Sequence, residues 1–276
     1  MAKNGLLLLD GSTGHELKAR LDVLGGADDS FSTVMRVNTE QPELITAVHS
    51  EYVAAGCDVL TTNTFTLTPR ALEEAGSPAA ELPPLLHAAC RCAAAAAATA
   101  GGGRTVRIAG CLPPLQHCYL PELVPAEPEL LDNYRCIVRE LAPRVDLFLA
   151  ETLCCSAEAR AALTAAAPAG KPVWCSLTLH DDESGPPTLR GGERVGALID
   201  ALRSAQQLPA ALLYNCCAPS VVSRALATQI KLPSSVERVG CYANGFRSAA
   251  GTRNGGYDGG RMIDGGTLAQ VDDLGV

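Results

Sequence analysis

The sequence predicts an α/β fold built on a parallel sheet, and three observations predict it. Short apolar runs alternate with longer stretches at helical spacing, the runs close on small or polar residues, and the composition, 47% hydrophobic and 19% charged, supplies a sizeable core. Seven strands are expected, over residues 5–9, 59–62, 106–110, 147–150, 173–177, 211–215 and 236–242. Between the first two, Pro42 suits a first helical position, Leu44, Val48 and Tyr52 share a face, and Gly56 can close the C-terminus. Between the third and fourth, Leu130, Tyr134, Ile137 and Leu141 form a second apolar stripe ahead of Pro143.

The strand ends decide between two parallel-sheet architectures. Asp10-Gly11, Thr62-Asn63-Thr64, Gly110-Cys111, Glu151-Thr152 and Asn215-Cys216 all lie at C-terminal ends, the face that carries ligand sites in barrels and in open sheets alike. No G-x-G-x-x-G follows the first strand, so the dinucleotide-binding sheet loses its main support. A (β/α)8 TIM-barrel-like fold is therefore expected, incomplete, with seven recognisable strands and no clear eighth. Residues 1–250 form the barrel domain in this reading. Residues 251–276, with Gly251, Gly255-Gly256, Gly259-Gly260 and Gly265-Gly266, read as a flexible tail.

Charge and hydropathy narrow the partners. Against 22 Lys+Arg stand 30 Asp+Glu, a net charge of −8, which disfavours nucleic acid and anionic membrane surfaces. No apolar run reaches the ~20 residues a membrane span needs, and Asp10 interrupts the leucines of 6–9 before they could make a secretory signal. A cytoplasmic location is expected, and the 12 cysteines then read as reduced thiols.

Taken in order, Asp10-Gly11-Ser12-Thr13-Gly14-His15-Glu16-Leu17, Asn63-Thr64-Phe65, Glu151-Thr152 and Asn215-Cys216-Cys217 resemble the homocysteine S-methyltransferase family. The stretches AGCLPPL, residues 109–115, and YANGF, residues 242–246, look like its branch that takes a methyl group from S-methylmethionine or S-adenosylmethionine rather than betaine. The resemblance implies a zinc-dependent transferase making methionine from homocysteine. In it Cys216 is a zinc ligand, Asn215 helps orient the site, Asp10 and Glu151 hold the substrate ammonium, and Gly11 and Thr64 receive its carboxylate. The chemistry agrees: an alkyl thiol with a pKa of about 8.5 is mostly protonated at neutral pH, and a zinc site with an open position would bind it as the thiolate.

The resemblance also implies two further zinc cysteines in a GGCC motif, which this sequence does not contain. The zinc site is incomplete as written. The alternative is thus an inactive, truncated homologue that binds an amino acid or a protein partner. Two carboxylates could instead be a glycosidase acid and base, but that leaves Asn215-Cys216-Cys217 unexplained. Elsewhere bland roles are expected: His49 as a surface or core polar residue, His117-Cys118 and Asp181-Asp182-Glu183 as solvated loops, Cys90 and Cys92 as helix packing.

Overall fold

The computed structural model describes residues 5–23, 31–181, 185–227, 232 and 234–244. In chain order its helices are α1 Thr13–Val23, α2 Phe31–Glu40, α3 Pro42–Ala55, α4 Pro69–Glu74, α5 Leu82–Ala97, α6 Glu127–Leu141, α7 Ser156–Ala166, α8 Val195–Ser204 and α9 Pro219–Ala227. The strands are β1 Val59–Thr61, β2 Arg107–Leu112, β3 Leu147–Leu153, β4 Val173–Leu177, β5 Ala211–Asn215 and β6 Arg238–Tyr242. This is the α/β repeat of a TIM-barrel-like fold, incomplete among the described residues. The expected tail, 251–276, lies outside them.

The chain divides into two compact units. The first comprises the described residues of Met1–Pro113, Asn133–Leu149 and Ala169–Lys171; the second those of Pro114–Asp132, Ala150–Pro168 and Pro172–Val276. In the first, β1 and β2 pair in parallel with Leu60 opposite Ile108. The helix expected after the first strand is α3. Pro42 stands at its start, and Gly56 closes it at φ 103°, a left-handed conformation that glycine adopts without a Cβ penalty. Arg104 donates to the Val53 and Cys57 carbonyls at 3.2 and 2.5 Å, satisfying acceptors that the helix end would otherwise leave open. Ile45, Val48, Leu17, Val37 and Cys92 make one core cluster, and Val53, Cys57, Leu60, Ala96 and Val106 another. Cys90 and Cys92 are both buried, as packing residues should be.

The first expected strand is reduced to a single parallel bridge, Leu9 to Val59, with the Asp10 amide donating to the Val59 carbonyl at 3.0 Å. Leu6 and Leu8 are exposed, so the leucine run presents only alternate side chains to the interior. Six named strands therefore stand among the described residues where the sequence predicts seven.

In the second unit β4, β5 and β6 run parallel and in order, with Ser176 opposite Leu213 and Asn215 opposite Tyr242. β4 and β5 are buried along their whole length, the pattern of strands covered on both faces. Among the described residues no helix is long and apolar enough to cross a membrane.

Candidate functional site

The second unit assembles a polar cluster at the ends of β3, β4 and β5. Asn215, the last residue of β5, is fully buried, and each of its side-chain atoms is used. Its Oδ1 accepts from Ser176 Oγ on the neighbouring strand at 2.7 Å. Its Nδ2 donates to Thr152 Oγ1 at 2.7 Å and reaches Cys216 Sγ at 3.1 Å. Thr152 Oγ1, its acceptor role filled, donates in turn toward Cys216 Sγ at 3.7 Å. Two donors thus converge on one sulfur, an arrangement that favours an anionic or metal-bound sulfur over a neutral thiol.

The backbone at this cluster is unusual. Thr152 and Cys216 have φ of 60° and 51°, the left-handed region that costs a non-glycine residue about 1–2 kcal/mol. The Cys216 turn is held from outside by its carbonyl, which accepts from Tyr119 Oη at 3.2 Å and Thr178 Oγ1 at 3.1 Å. Arg190 supports both donors: its Nε donates to Thr178 Oγ1 at 3.2 Å, and its guanidinium lies 4.2 Å from the Tyr119 ring centroid. Arg190 also donates to Asp181 at 3.2 Å, while the other Asp181 oxygen accepts the Ala218 amide at 2.8 Å.

Asp181 therefore departs from the solvated loop expected of the 181–183 run; it braces the turn that follows Cys216, and Asp182 and Glu183 lie outside the described residues. Sequence reasoning also missed Tyr119, Thr178 and Arg190. Thr152 carried a signal, since it follows Glu151 at a polar strand end.

Burial, and after it the nearby Glu151 carboxylate, push the Cys216 thiol up to about 11, against hydrogen bonds from Thr152, Tyr119 and Asn215 that favour the thiolate. The same carboxylate adds to the burial that raises Tyr242. Glu151, Asn215 and Cys216, three of the expected site residues, thus lie near one another.

The first unit holds Asp10, Gly11 and Thr64. Asp10 Oδ2 accepts the Thr61 amide at 2.7 Å, and its Oδ1 accepts the Thr61 hydroxyl at 2.9 Å, so the carboxylate is oriented by the end of β1. Thr64 is fully buried. Its hydroxyl donates to the Cys111 carbonyl at 3.0 Å and lies 3.0 Å from the Thr62 hydroxyl, so the expected carboxylate contact through this hydroxyl would displace a bond already made.

Gly11 packs against Tyr52: a Cβ there would come within 2.6 Å of the ring. Gly11→Ala is expected to destabilise the protein by about 1–3 kcal/mol, read as a lowered melting temperature, and Tyr52→Leu in the same chain should relieve most of the loss.

The resemblance also implies zinc. Structural and catalytic zinc sites need three or four protein ligands. Among the described residues Cys216 does not group with two further His, Cys, Asp or Glu ligand atoms, and the sequence carries no cysteine after Cys241. Cys216 presents a sulfur suited to a metal, but the described residues do not complete a zinc site around it.

The sequence profile of the homocysteine S-methyltransferase family matches residues 7–265. The homocysteine S-methyltransferase of Escherichia coli (strain K12) is 32% identical over 245 residues, covering 81% of this chain and 73% of that protein. The fold is similar to the metallated form of the E. coli homocysteine methyltransferase MmuM, with a TM-score of 0.72 and 24% identity over 87% of this chain and 92% of that one. Its apo form gives a TM-score of 0.66 and 25% identity over 88% and 83%. With a profile match across nearly the whole chain and a relative at this identity, the chain belongs to the homocysteine S-methyltransferase family.

Proposed function

We propose that the protein transfers a methyl group to homocysteine from a sulfonium donor, S-methylmethionine or S-adenosylmethionine, and so makes methionine. The observation that carries the reading is the Cys216 sulfur with two donors, Asn215 Nδ2 and Thr152 Oγ1, aimed at it from a strained, externally braced turn.

In the reaction the homocysteine sulfur forms the new bond to the methyl carbon, and the sulfonium carbon–sulfur bond breaks. The electron pair of that bond returns to the departing sulfur, leaving a neutral thioether, and the thiol proton passes to solvent. The donor carries its own leaving group, so no folate or cobalamin is needed. The protein's part is to orient the two reactants and to favour charge at the attacking sulfur. Asp10 and Glu151 are proposed to hold the substrate ammonium, with Gly11 and the Thr64 segment on its carboxylate side. A cytoplasmic location accords with 12 free cysteines.

A second reading is favoured by one observation, the single thiol at the family's metal position. It is an amino-acid-binding homologue without turnover. Methionine formation, followed with each donor, with and without added zinc, separates the two. Under the first reading Cys216→Ala lowers the rate by at least about 100-fold while the protein remains folded. Homocysteine binding by calorimetry with no methionine under any condition would favour the second.

A further inference from the structure

A second group of metal-type ligands lies in the same unit, at the start of α7. Cys154 and Cys155 precede the helix, and Glu158 sits in its first turn. The two sulfurs and a Glu158 carboxylate oxygen all lie within 4.8 Å of one another, and all three residues are buried. Tetrahedral zinc, with bonds of about 2.3 Å to sulfur and 2.0–2.2 Å to oxygen, places its ligand atoms about 3.5–3.8 Å apart. Binding requires the three ligand atoms to draw together by at most about 1.3 Å.

Helix capping accounts for part of the arrangement, since Glu158 Oε2 accepts the Cys154 amide at 2.9 Å. It does not account for two adjacent thiols packed against a buried carboxylate, nor for Glu193. Glu193 Oε1 accepts the Ser156 amide at 3.1 Å, at the same helix end. Its Oε2 is enclosed and has no hydrogen-bond partner. A Cβ at Gly191 would meet both that oxygen, at 2.4 Å, and the Cys155 Cβ, at 3.1 Å, so the free carboxylate oxygen and Cys155 border the same narrow space. An enclosed carboxylate oxygen without a donor costs stability that a cation would recover. Gly191, whose amide donates to the Cys154 carbonyl at 3.0 Å, and Gly192 are exposed, so the cluster lies next to the surface.

We propose that Cys154, Cys155 and Glu158 bind a thiophilic divalent cation of the zinc class at the N-terminus of α7, with the Glu193 carboxylate as an outer partner, independently of Cys216. Two thiolates with one carboxylate suit zinc over magnesium or calcium, and binding releases the thiol protons to solvent.

Cobalt(II) titrated into the reduced Cys216→Ala protein tests this, because thiolate-bound cobalt absorbs in the near ultraviolet and visible. The expected result is about one cobalt per chain with a sulfur-to-cobalt charge-transfer band, displaced by zinc. The band should be lost in Cys154→Ser/Cys155→Ser made in that background. Glu193→Gln, which keeps both thiols and the helix, should weaken cobalt binding by about 10-fold or more. No charge-transfer band in the Cys216→Ala protein, a band that survives loss of both thiols, or affinity unchanged by Glu193→Gln would each overturn the proposal. If the double variant does not fold, peptide-resolved alkylation replaces it: zinc should slow modification of Cys154 and Cys155, and equal rates with and without zinc would overturn the site.

Discussion

Asn215→Ala is expected to destabilise the protein by about 3 kcal/mol and to abolish methyl transfer. The side chain is fully buried and links three elements: it accepts from Ser176 and donates to Thr152 and Cys216. Truncation leaves the fully buried Ser176 hydroxyl without its acceptor and the Cys216 sulfur without its nearer donor. Asn215→Asp separates the two effects. Aspartate can still accept from Ser176, so the fold should lose less. It now presents an acceptor and a negative charge to Thr152 and Cys216 where the amide presented a donor, so Cys216 is held further from ionisation. Chemical denaturation of both variants, with peptide-resolved alkylation of Cys216 at fixed pH, checks the pair. The expected order is a larger stability loss for alanine and a slower Cys216 reaction for aspartate than for the wild type.

The second large effect concerns pH. His49 lies on α3, fully buried, and neither ring nitrogen has a hydrogen-bond partner. Burial lowers its pKa from 6.5 to about 4. Between those values the unfolded chain takes up a proton that the folded chain refuses, so stability falls as pH drops through this window. The loss attributable to His49 reaches about 3 kcal/mol by the acid end. His49→Leu keeps an apolar side chain of similar size on a helix and removes the titration. Its stability advantage over the wild type should grow from pH 7 to pH 4 in urea denaturation. A constant difference across that range would show that His49 is solvated or protonated in the folded state.

Much of this architecture was legible from short-range signals. Pro42 and Gly56 bound α3 because one residue lacks the amide that a helix start does not use and the other tolerates a left-handed φ. The polar residues at strand ends marked Glu151, Asn215 and Cys216 because buried strands do not otherwise close on such side chains. The leucine run at 6–9 misled, since apolar content alone does not show that a segment pairs along its length, and Leu6 and Leu8 face outward. The braces of the Cys216 turn were not legible. Tyr119 lies 97 residues from Cys216, and Thr178 lies 38 away, so no local spacing joins them. Asp181 looked like loop charge because its partners, Arg190 and the Ala218 amide, are fixed only by the fold.

The most direct test of the central claim follows a methyl label from S-methylmethionine or S-adenosylmethionine into methionine, using the 276-residue protein with homocysteine and added zinc, beside Cys216→Ala. The account predicts labelled methionine from the wild type and at least about a 100-fold lower rate from the variant. Homocysteine bound without any labelled methionine, or equal rates from the two proteins, would contradict it.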